Sequence, residues 1–168
     1  MSHTGNISKF EQFINMMTGH FDNQEQFQKM KEAGEIYPYA EHVNTPCNNK
    51  IQDLPADFSG IFIVEESYYQ SQGKRHSSPH LFLVTEQDDG IELSSYEIPE
   101  REDKNTFSYE TMKNVKYSAL KKSEKFTPAL YHEKDGVWEG GSVSRFSPVM
   151  IFKLWEKIHV WRYRRVWK

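Results

Sequence analysis

The sequence has almost no cysteine, since Cys47 is its only one. A single thiol excludes an intrachain disulfide and a zinc site built from several cysteines, which argues against a small secreted scaffold. The opening residues lack the basic and apolar regions of a signal peptide, and no apolar run is long enough to span a membrane. We therefore expect a soluble, cytoplasmic protein with no membrane association.

Several sequence motifs of well-known enzymes are also missing. The chain contains no GxxxxGK[ST] loop, no GxGxxG, no HExxH and no GxSxG, which argues against nucleotide, zinc-protease and serine-hydrolase chemistry. His76 and His80 are four residues apart, but Pro79 and the serines before it make a helix there improbable. We therefore predict no metal site.

Apolar residues are scarce too, at 37% of the chain, but 14% of the residues are aromatic, with 11 Phe, 9 Tyr and 4 Trp. Much of the core must therefore be aromatic. The length of 168 residues predicts one domain, residues 1–168, with a helical N-terminus at 5–35 and an antiparallel barrel at 36–168.

Two helices are predicted near the N-terminus. Apolar residues at helical spacing predict the first helix from Asn6 to His20; they are Ile7, Phe10, Phe13, Ile14, Met17 and Phe21. Asp22 and Glu25 have the spacing of a helix-start capping pair, and Gly34 is a typical helix end. The sequence therefore predicts a helical hairpin or a bent helix before the first strand.

After Pro38 the sequence changes to short apolar runs separated by turn residues, which is typical of strands. Asp89-Gly90 and Asp135-Gly136 predict tight hairpin turns, and Gln70–Ser78 and Pro99–Asn105 are predicted to be polar loops. The predicted strands are Tyr39–Thr45, Ser59–Tyr68, His80–Thr85, Ile91–Ile98, Thr106–Met112, Val115–Leu120, Leu130–Glu133, Val137–Phe146 and Val149–Tyr163.

This order of elements predicts a mainly β fold, α+β by content, with a helix pair and an antiparallel up-and-down β-barrel. Parallel crossovers are excluded because no helix is available between the strands. A barrel of about eight strands can hold one small ligand. The alternative is an α+β arrangement in which the helices pack on one face of an open sheet.

The pair Glu65-Glu66 is the main candidate for chemistry, because it directly follows the apolar run Ile61–Val64. Side chains alternate along a strand, so only one of the two carboxylates can point inward, where it would act as a proton donor or bind a cation. The alternative is a strand that simply runs into solvent. His80 shares its strand face with Phe82, so His80 lies in a pocket or at its rim.

The C-terminal residues combine aromatic and basic side chains. Lys153–Lys168 contains six Lys or Arg and one acidic residue, Glu156, so the rest of the chain carries a net charge of −8. Such a tail could bind a nucleic acid or an acidic partner through Trp161, Arg162 and Arg164. A last strand with a basic outer face is the interpretation that we favour, because the tail is short and the rest is acidic.

One octapeptide, GHFDNQEQ at 19–26, resembles the G-x-F-x-N-x-x-Q signature of the CpcT/CpeT family of phycobiliprotein chromophore lyases. Other pieces agree in order: Pro38 and His42 leading into a strand that ends at Pro46, the apolar strand that ends in Glu65-Glu66, and Ile91–Ile98. The resemblance covers roughly the first 100 residues. It implies a lipocalin-like barrel whose pocket carries a linear tetrapyrrole and attaches it to a cysteine of a partner protein.

The chain also departs from this family. Where the family has a Tyr-Arg-x-Arg element, this chain has Ser77-Ser78-Pro79-His80, so two arginines suited to the propionates of a bilin are absent. Our first hypothesis is therefore a lipocalin-like protein that binds a tetrapyrrole-like or other elongated apolar ligand and is related to the lyases without catalysing their reaction.

The hypothesis assigns roles to individual residues. Glu65 or Glu66 would be the acid, and the ligand would contact His42, Tyr68, His80, Phe82 and Tyr96. No cofactor is expected other than a bilin bound as ligand, and a protein partner or a homodimer is compatible with this hypothesis. The alternatives are a true bilin lyase, with Lys74, Arg75 or Arg101 as its anion clamp, and an interaction protein that uses the basic aromatic tail.

Overall fold

The computed structural model describes residues 5–142 and 164–166. The helices are α1 (Lys9–Met17) and α2 (Gln24–Glu32), and short 3-10 turns cover Asn48–Lys50 and Tyr117–Ala119. The strands are β1 (Gly19–Asp22), β2 (Tyr39–Pro46), β3 (Ile51–Gln52), β4 (Ile61–Ser71), β5 (Lys74–Gln87), β6 (Gly90–Tyr96), β7 (Val115–Lys116), β8 (Ala129–Lys134), β9 (Val137–Ser142) and β10 (Arg164–Val166).

The first helix is shorter than the sequence predicted. It begins with a capping box in which the Ser8 hydroxyl accepts from the Glu11 amide and the Glu11 carboxylate accepts from the Ser8 amide. It ends at Met17, and the prediction that it continues to His20 is wrong. Gly19 has φ 130°, which suits glycine, and the residues from Gly19 to Asp22 pair with β2 instead.

The second helix begins one residue later than predicted, because its N-cap is Asn23 and not Asp22. The Asp22 carboxylate accepts a hydrogen bond from the Gln24 amide, in the first turn of α2. Gly34, with φ 77°, ends the helix as expected. Asn23 is buried, and its side chain accepts from the Ala40 amide at 2.8 Å and donates to the Pro38 carbonyl at 3.1 Å. Asn23 therefore ties the start of α2 to β2.

Eight strands form one antiparallel sheet in the order β10-β1-β2-β4-β5-β6-β8-β9, and the sheet curls into half a barrel. Strands from β1 to β9 that are neighbours in this sheet follow one another along the chain, apart from β3 and β7, which form a separate parallel pair. The prediction of a mainly β, antiparallel fold is confirmed. Closure into a lipocalin-like barrel stays a prediction.

The end of the longest hairpin was predicted to be a loop. Gln70–Ser78 is not a loop: β4 and β5 continue through it and are joined by a two-residue turn at Gln72 and Gly73. Both turn residues have positive φ, 51° and 77°, the combination of a type I′ hairpin. The polar composition of this segment reflects an exposed hairpin end and not a missing strand.

Several other predictions need correction. Thr106–Met112 forms turns instead of a strand, and of Val115–Leu120 only the first two residues are extended. The turn before β6 consists of Asp88 and Asp89, one residue earlier than predicted, whereas Asp135-Gly136 forms the predicted turn. The remaining strands up to residue 142 lie where the sequence predicted them, with shifted ends.

Each face of the sheet has its own core. We call the side that contacts α1 the helix face; there Phe13 packs with Ile63, Val84 and Ile91. We call the opposite side the loop face; there the segments 47–58 and 98–120 cover the strands. Its buried residues include Cys47, Phe62, Val64, Leu81, Leu83, Phe107 and Met112. Helix packing on one face is the feature that the open-sheet alternative predicted.

Most of the basic aromatic tail lies outside the described residues, as does the predicted strand Val149–Tyr163. The described part, Arg164–Val166, pairs with β1 in antiparallel register. This pairing agrees with the interpretation of the chain end as a last strand. In the part of the chain that the structure describes, no helix has the length and apolarity of a membrane span.

Candidate functional site

The two adjacent glutamates of β4 lie on opposite faces of the sheet. Glu65 follows Ile63 in alternation and lies on the helix face, whereas Glu66 follows Val64 and lies on the loop face. In the register, Glu65 is opposite Asn44 of β2 and His80 of β5. The sequence did not decide which of the two carboxylates points inward. In the structure each lies on a different face and has its own surroundings.

On the helix face, Glu65 is the centre of a polar cluster. Its Oε1 accepts a hydrogen bond from the Ser67 hydroxyl at 2.8 Å and lies 3.7 Å from Nδ1 of His42. Ser67 Oγ lies 2.8 Å from the same Nδ1. The side chains of Glu65 and His42 are only 19% and 18% exposed. A carboxylate and two imidazoles, those of His42 and His80, thus lie together next to the part of the sheet that α1 covers.

The direction of these hydrogen bonds follows from the groups involved. An ionised carboxylate can only accept, so the single Ser67 proton goes to Glu65. His42 must then donate from Nδ1 to the Ser67 oxygen. This direction is the reverse of a serine nucleophile, whose proton goes to its histidine. Because Ser67 is also only 2% exposed, the cluster can hold a charge but does not activate a hydroxyl.

The environment keeps Glu65 ionised. Burial opposes the charge, but the hydrogen bond and charge of His42, the hydroxyl of Ser67 and the charge of His80 outweigh it, and the pKa of Glu65 is lowered from its usual 4.5. The negative charge in turn acts on two phenols. Burial and then the Glu65 charge raise the pKa of Tyr69 and of Tyr131. Glu65 is thus a hydrogen-bond acceptor in this cluster at neutral pH and not an acid.

Aromatic side chains surround the cluster. The His80 ring stacks on Phe82, with centroids 5.6 Å apart, and the His42 ring meets the edge of Tyr69 at 5.9 Å. Tyr131 contacts Phe13 of α1 at 5.3 Å. All of these rings except Phe13 are only partly buried. The helix face therefore presents partly exposed aromatic surface next to a fixed negative charge.

The sequence-predicted site residues divide between the two faces. The structure brings Glu65, His42, His80 and Phe82 together on the helix face. Glu66, Tyr68 and Tyr96 lie on the loop face. There Tyr96 packs edge-on against Phe62, with centroids 5.2 Å apart, as a core residue.

Glu66 and Tyr68 form a separate pair on the loop face. The Tyr68 hydroxyl donates to Glu66 Oε1 at 2.6 Å, and the guanidinium of Arg75 lies 4.5 Å from the centre of the Tyr68 ring. Burial and the Glu66 hydrogen bond raise the pKa of Tyr68 to about 12. Tyr68 is therefore a neutral donor that holds the Glu66 carboxylate in place.

Two members of the helix-face cluster were not identified from the sequence. Ser67 lies two residues after Glu65 on the same strand and therefore on the same face, and this parity could have identified it. Asn44 could not have been found, because it reaches Glu65 only through strand pairing. Its amide donates to the Met17 carbonyl at the end of α1, while its buried Oδ1 has no hydrogen-bond partner among the described residues.

The single cysteine is a core residue. Cys47 has no exposed surface, and burial raises the pKa of its thiol to about 12 although Lys50 and a backbone hydrogen bond act the other way. A thiol with this pKa stays protonated and is a poor nucleophile. Within residues 5–142 and 164–166, no group of three or more His, Cys, Asp or Glu side chains could hold a metal ion.

Comparisons with protein-family models, with curated proteins and with solved structures each found no match for this chain.

Proposed function

We propose that the helix face binds an elongated, largely apolar small molecule of the tetrapyrrole type, and that the protein is a lipocalin-like binding protein and not a catalyst. The observation that carries this proposal is the ionised, largely buried carboxylate of Glu65 beside partly exposed aromatic rings. Ligand sites are typically apolar walls with a few fixed polar groups that orient the ligand. Glu65 would accept hydrogen bonds from N–H groups of the ligand.

The proposal is also supported by the fixed position of the Glu65 carboxylate, which would anchor the ligand. Ser67 and His42 hold Glu65 from one side, and His80 lies opposite it on the neighbouring strand. A carboxylate that is already oriented loses little conformational freedom when a ligand binds. Phe82 and Tyr69, which contact the two imidazoles, would form the apolar walls beside the anchor.

A true bilin lyase is less well supported, because it needs a cationic clamp for the propionates of the bilin. Arg75 lies over Tyr68 on the loop face, opposite Glu65. Lys74 is six residues from His80 along β5, or ~20 Å at the rise of a strand. Arg101 belongs to the segment that covers the loop face. Arg75 and Arg101 thus lie on the face opposite to Glu65, and Lys74 lies at the far end of β5 from His80.

The test is a titration of the purified protein with biliverdin, followed by bilin absorbance and by quenching of tryptophan fluorescence. Glu65→Gln is compared with Glu66→Gln, which makes the same change one residue away on the other face. We expect saturable binding that weakens about tenfold or more in Glu65→Gln and is unchanged in Glu66→Gln. Absence of binding at tens of micromolar, a weak affinity, or an equal loss in both variants would contradict the proposal.

A further inference from the structure

A cavity of about 330 Å³ lies on the loop face near the end of the β4–β5 hairpin. The cavity forms because β5 extends beyond its neighbour β6. The pairing of β5 with β6 begins only at Leu81, so the part of β5 before it has no β6 neighbour. The segment that contains Asn105 and Phe107 lies there instead, and the Ser77 hydroxyl donates to the Asn105 carbonyl. The cavity is the space left between hairpin and segment.

Two opposite charges line this cavity without forming an ion pair. Glu66 accepts hydrogen bonds from neutral groups, the Tyr68 hydroxyl at 2.6 Å and the Tyr109 amide at 3.4 Å. Arg75 contacts the face of the Tyr68 ring. Among the described residues, neither Glu66 nor Arg75 forms a salt bridge. Tyr68 thus lies between the two charges: its hydroxyl contacts Glu66 and its ring contacts Arg75.

A third charged group near Tyr68, the Glu41 carboxylate, is not available to a ligand. The charge of Glu41 contributes to the raised pKa of Tyr68, but Oε2 of Glu41 forms a hydrogen bond with Nε2 of His20 at 2.7 Å. Glu66 and Arg75 are therefore the charges that the cavity offers to a ligand. Phe107, which is 3% exposed, supplies an apolar wall beside them.

We propose that this cavity binds a small zwitterion, an α-amino acid with an apolar side chain, through Glu66 and Arg75. The ammonium group would donate to Glu66, and the carboxylate would receive the paired N–H groups of the Arg75 guanidinium, a geometry that arginine favours. The side chain would pack against Phe107. The volume is within the range of small-molecule sites, about 300–1,000 Å³. This site is independent of the helix face and of its ligand.

The probe is leucine, with binding measured by isothermal titration calorimetry on the full chain. Three analogues test the two charges and the side chain: N-acetyl-leucine lacks the ammonium charge, leucinamide lacks the carboxylate, and glycine lacks the side chain. We expect leucine to bind with a dissociation constant in the range of about 10 μM to 1 mM. Each analogue should bind about tenfold more weakly or not at all.

Variants assign the contacts. Glu66→Gln and Arg75→Gln should each weaken leucine binding by about tenfold or more, because each leaves one charge of the ligand unpaired. Lys74→Gln, which removes a charge next to Arg75 but on the other side of β5, should bind leucine like the unchanged protein. Thermal unfolding checks that all variants fold. Absence of leucine binding at ~10 mM, or equal binding of leucine and N-acetyl-leucine, would overturn the proposal.

Discussion

Glu65 and Glu66 are adjacent in the sequence but have different chemical surroundings. Glu65 lies on the helix face beside two imidazoles and a buried hydroxyl, and its pKa is lowered. Glu66 lies on the loop face, where its partners are a phenol and a backbone amide. The difference arises from strand alternation alone, since one step along β4 reverses the face. A sheet with a core on each face can therefore place neighbouring residues in two unrelated surroundings.

The largest effect that we expect concerns the cores that support the two faces. Phe62→Ala on the loop face should lower the free energy of unfolding by about 3–5 kcal/mol, and Ile63→Ala on the helix face by about 2–5 kcal/mol, because both side chains are fully buried. Ile36→Ala is the control, since Ile36 is 76% exposed and should change stability by about 0.5 kcal/mol at most. Urea unfolding measures all three. If either core variant matched the control, that face would not be a core.

The next largest effect is expected at Asn23, in the octapeptide 19–26, and it tests whether this residue stabilises the fold. Asn23→Ala removes two hydrogen bonds to the chain around β2 and should cost about 1–3 kcal/mol, because a buried amide and carbonyl lose their partner. Asn114→Ala changes an exposed asparagine and serves as the control. Both are compared by urea unfolding. An Asn23→Ala protein with unchanged stability but lost biliverdin binding would show that this asparagine belongs to a ligand site.

A pH series tests the ionised state of Glu65. Because the pKa of Glu65 is lowered by folding, its charge stabilises the protein above the pKa of the unfolded chain, near 4.5, and this contribution is lost as the pH falls through the folded value. The stability difference between the unchanged protein and Glu65→Gln should therefore shrink as the pH falls below ~4.5. Urea unfolding at several pH values measures this difference. A difference that grew on acidification would have the wrong sign for an ionised Glu65.

A smaller effect is expected at the turn of the β4–β5 hairpin. Gln72 has φ 51°, a left-handed conformation that costs a side chain with a Cβ atom free energy. Gln72→Asn, followed by Gly73, gives the preferred type I′ pair and should raise stability by about 0.5 kcal/mol. Thermal unfolding detects a change of this size. A loss of stability would mean that the turn has another conformation.

The smallest expected signal is the reactivity of Cys47. Because burial raises the pKa of this thiol to about 12, a disulfide reagent at pH 8 should react with it only after unfolding. The rate should follow the unfolded fraction as urea is added. Rapid modification without urea would contradict the position of Cys47 in the loop-face core.

The sequence predicted those parts of the molecule that depend on local patterns. Hydrophobic alternation predicted most strands of the main sheet, and Asp135-Gly136 predicted its turn. Local patterns failed where pairing decides the structure: β1 was assigned to a helix because Phe21 continues the helical stripe, and the far end of the β4–β5 hairpin was assigned to a loop because it is polar.

The same reason limited the prediction of the site. Parity within one strand groups His80 with Phe82 and separates Glu65 from Glu66, as the sequence indicated. Which strand lies beside which is not encoded in parity, so the approach of His42 to Glu65 was not derivable from spacing. Tyr68 and Tyr96 were assigned to one pocket with Glu65 or Glu66. Parity within β4 alone places Tyr68 on the face of Glu66, whereas the face of Tyr96, on another strand, was not derivable; the structure places both on the loop face.

One experiment tests the central claim that the two faces carry independent sites: the binding of biliverdin and of leucine, each measured by calorimetry on Glu65→Gln and on Glu66→Gln. We predict a crossed result, in which Glu65→Gln weakens only the binding of biliverdin and Glu66→Gln weakens only the binding of leucine, each by about tenfold or more. If both variants lose both ligands, or if neither variant affects its own ligand, the division into two sites is contradicted.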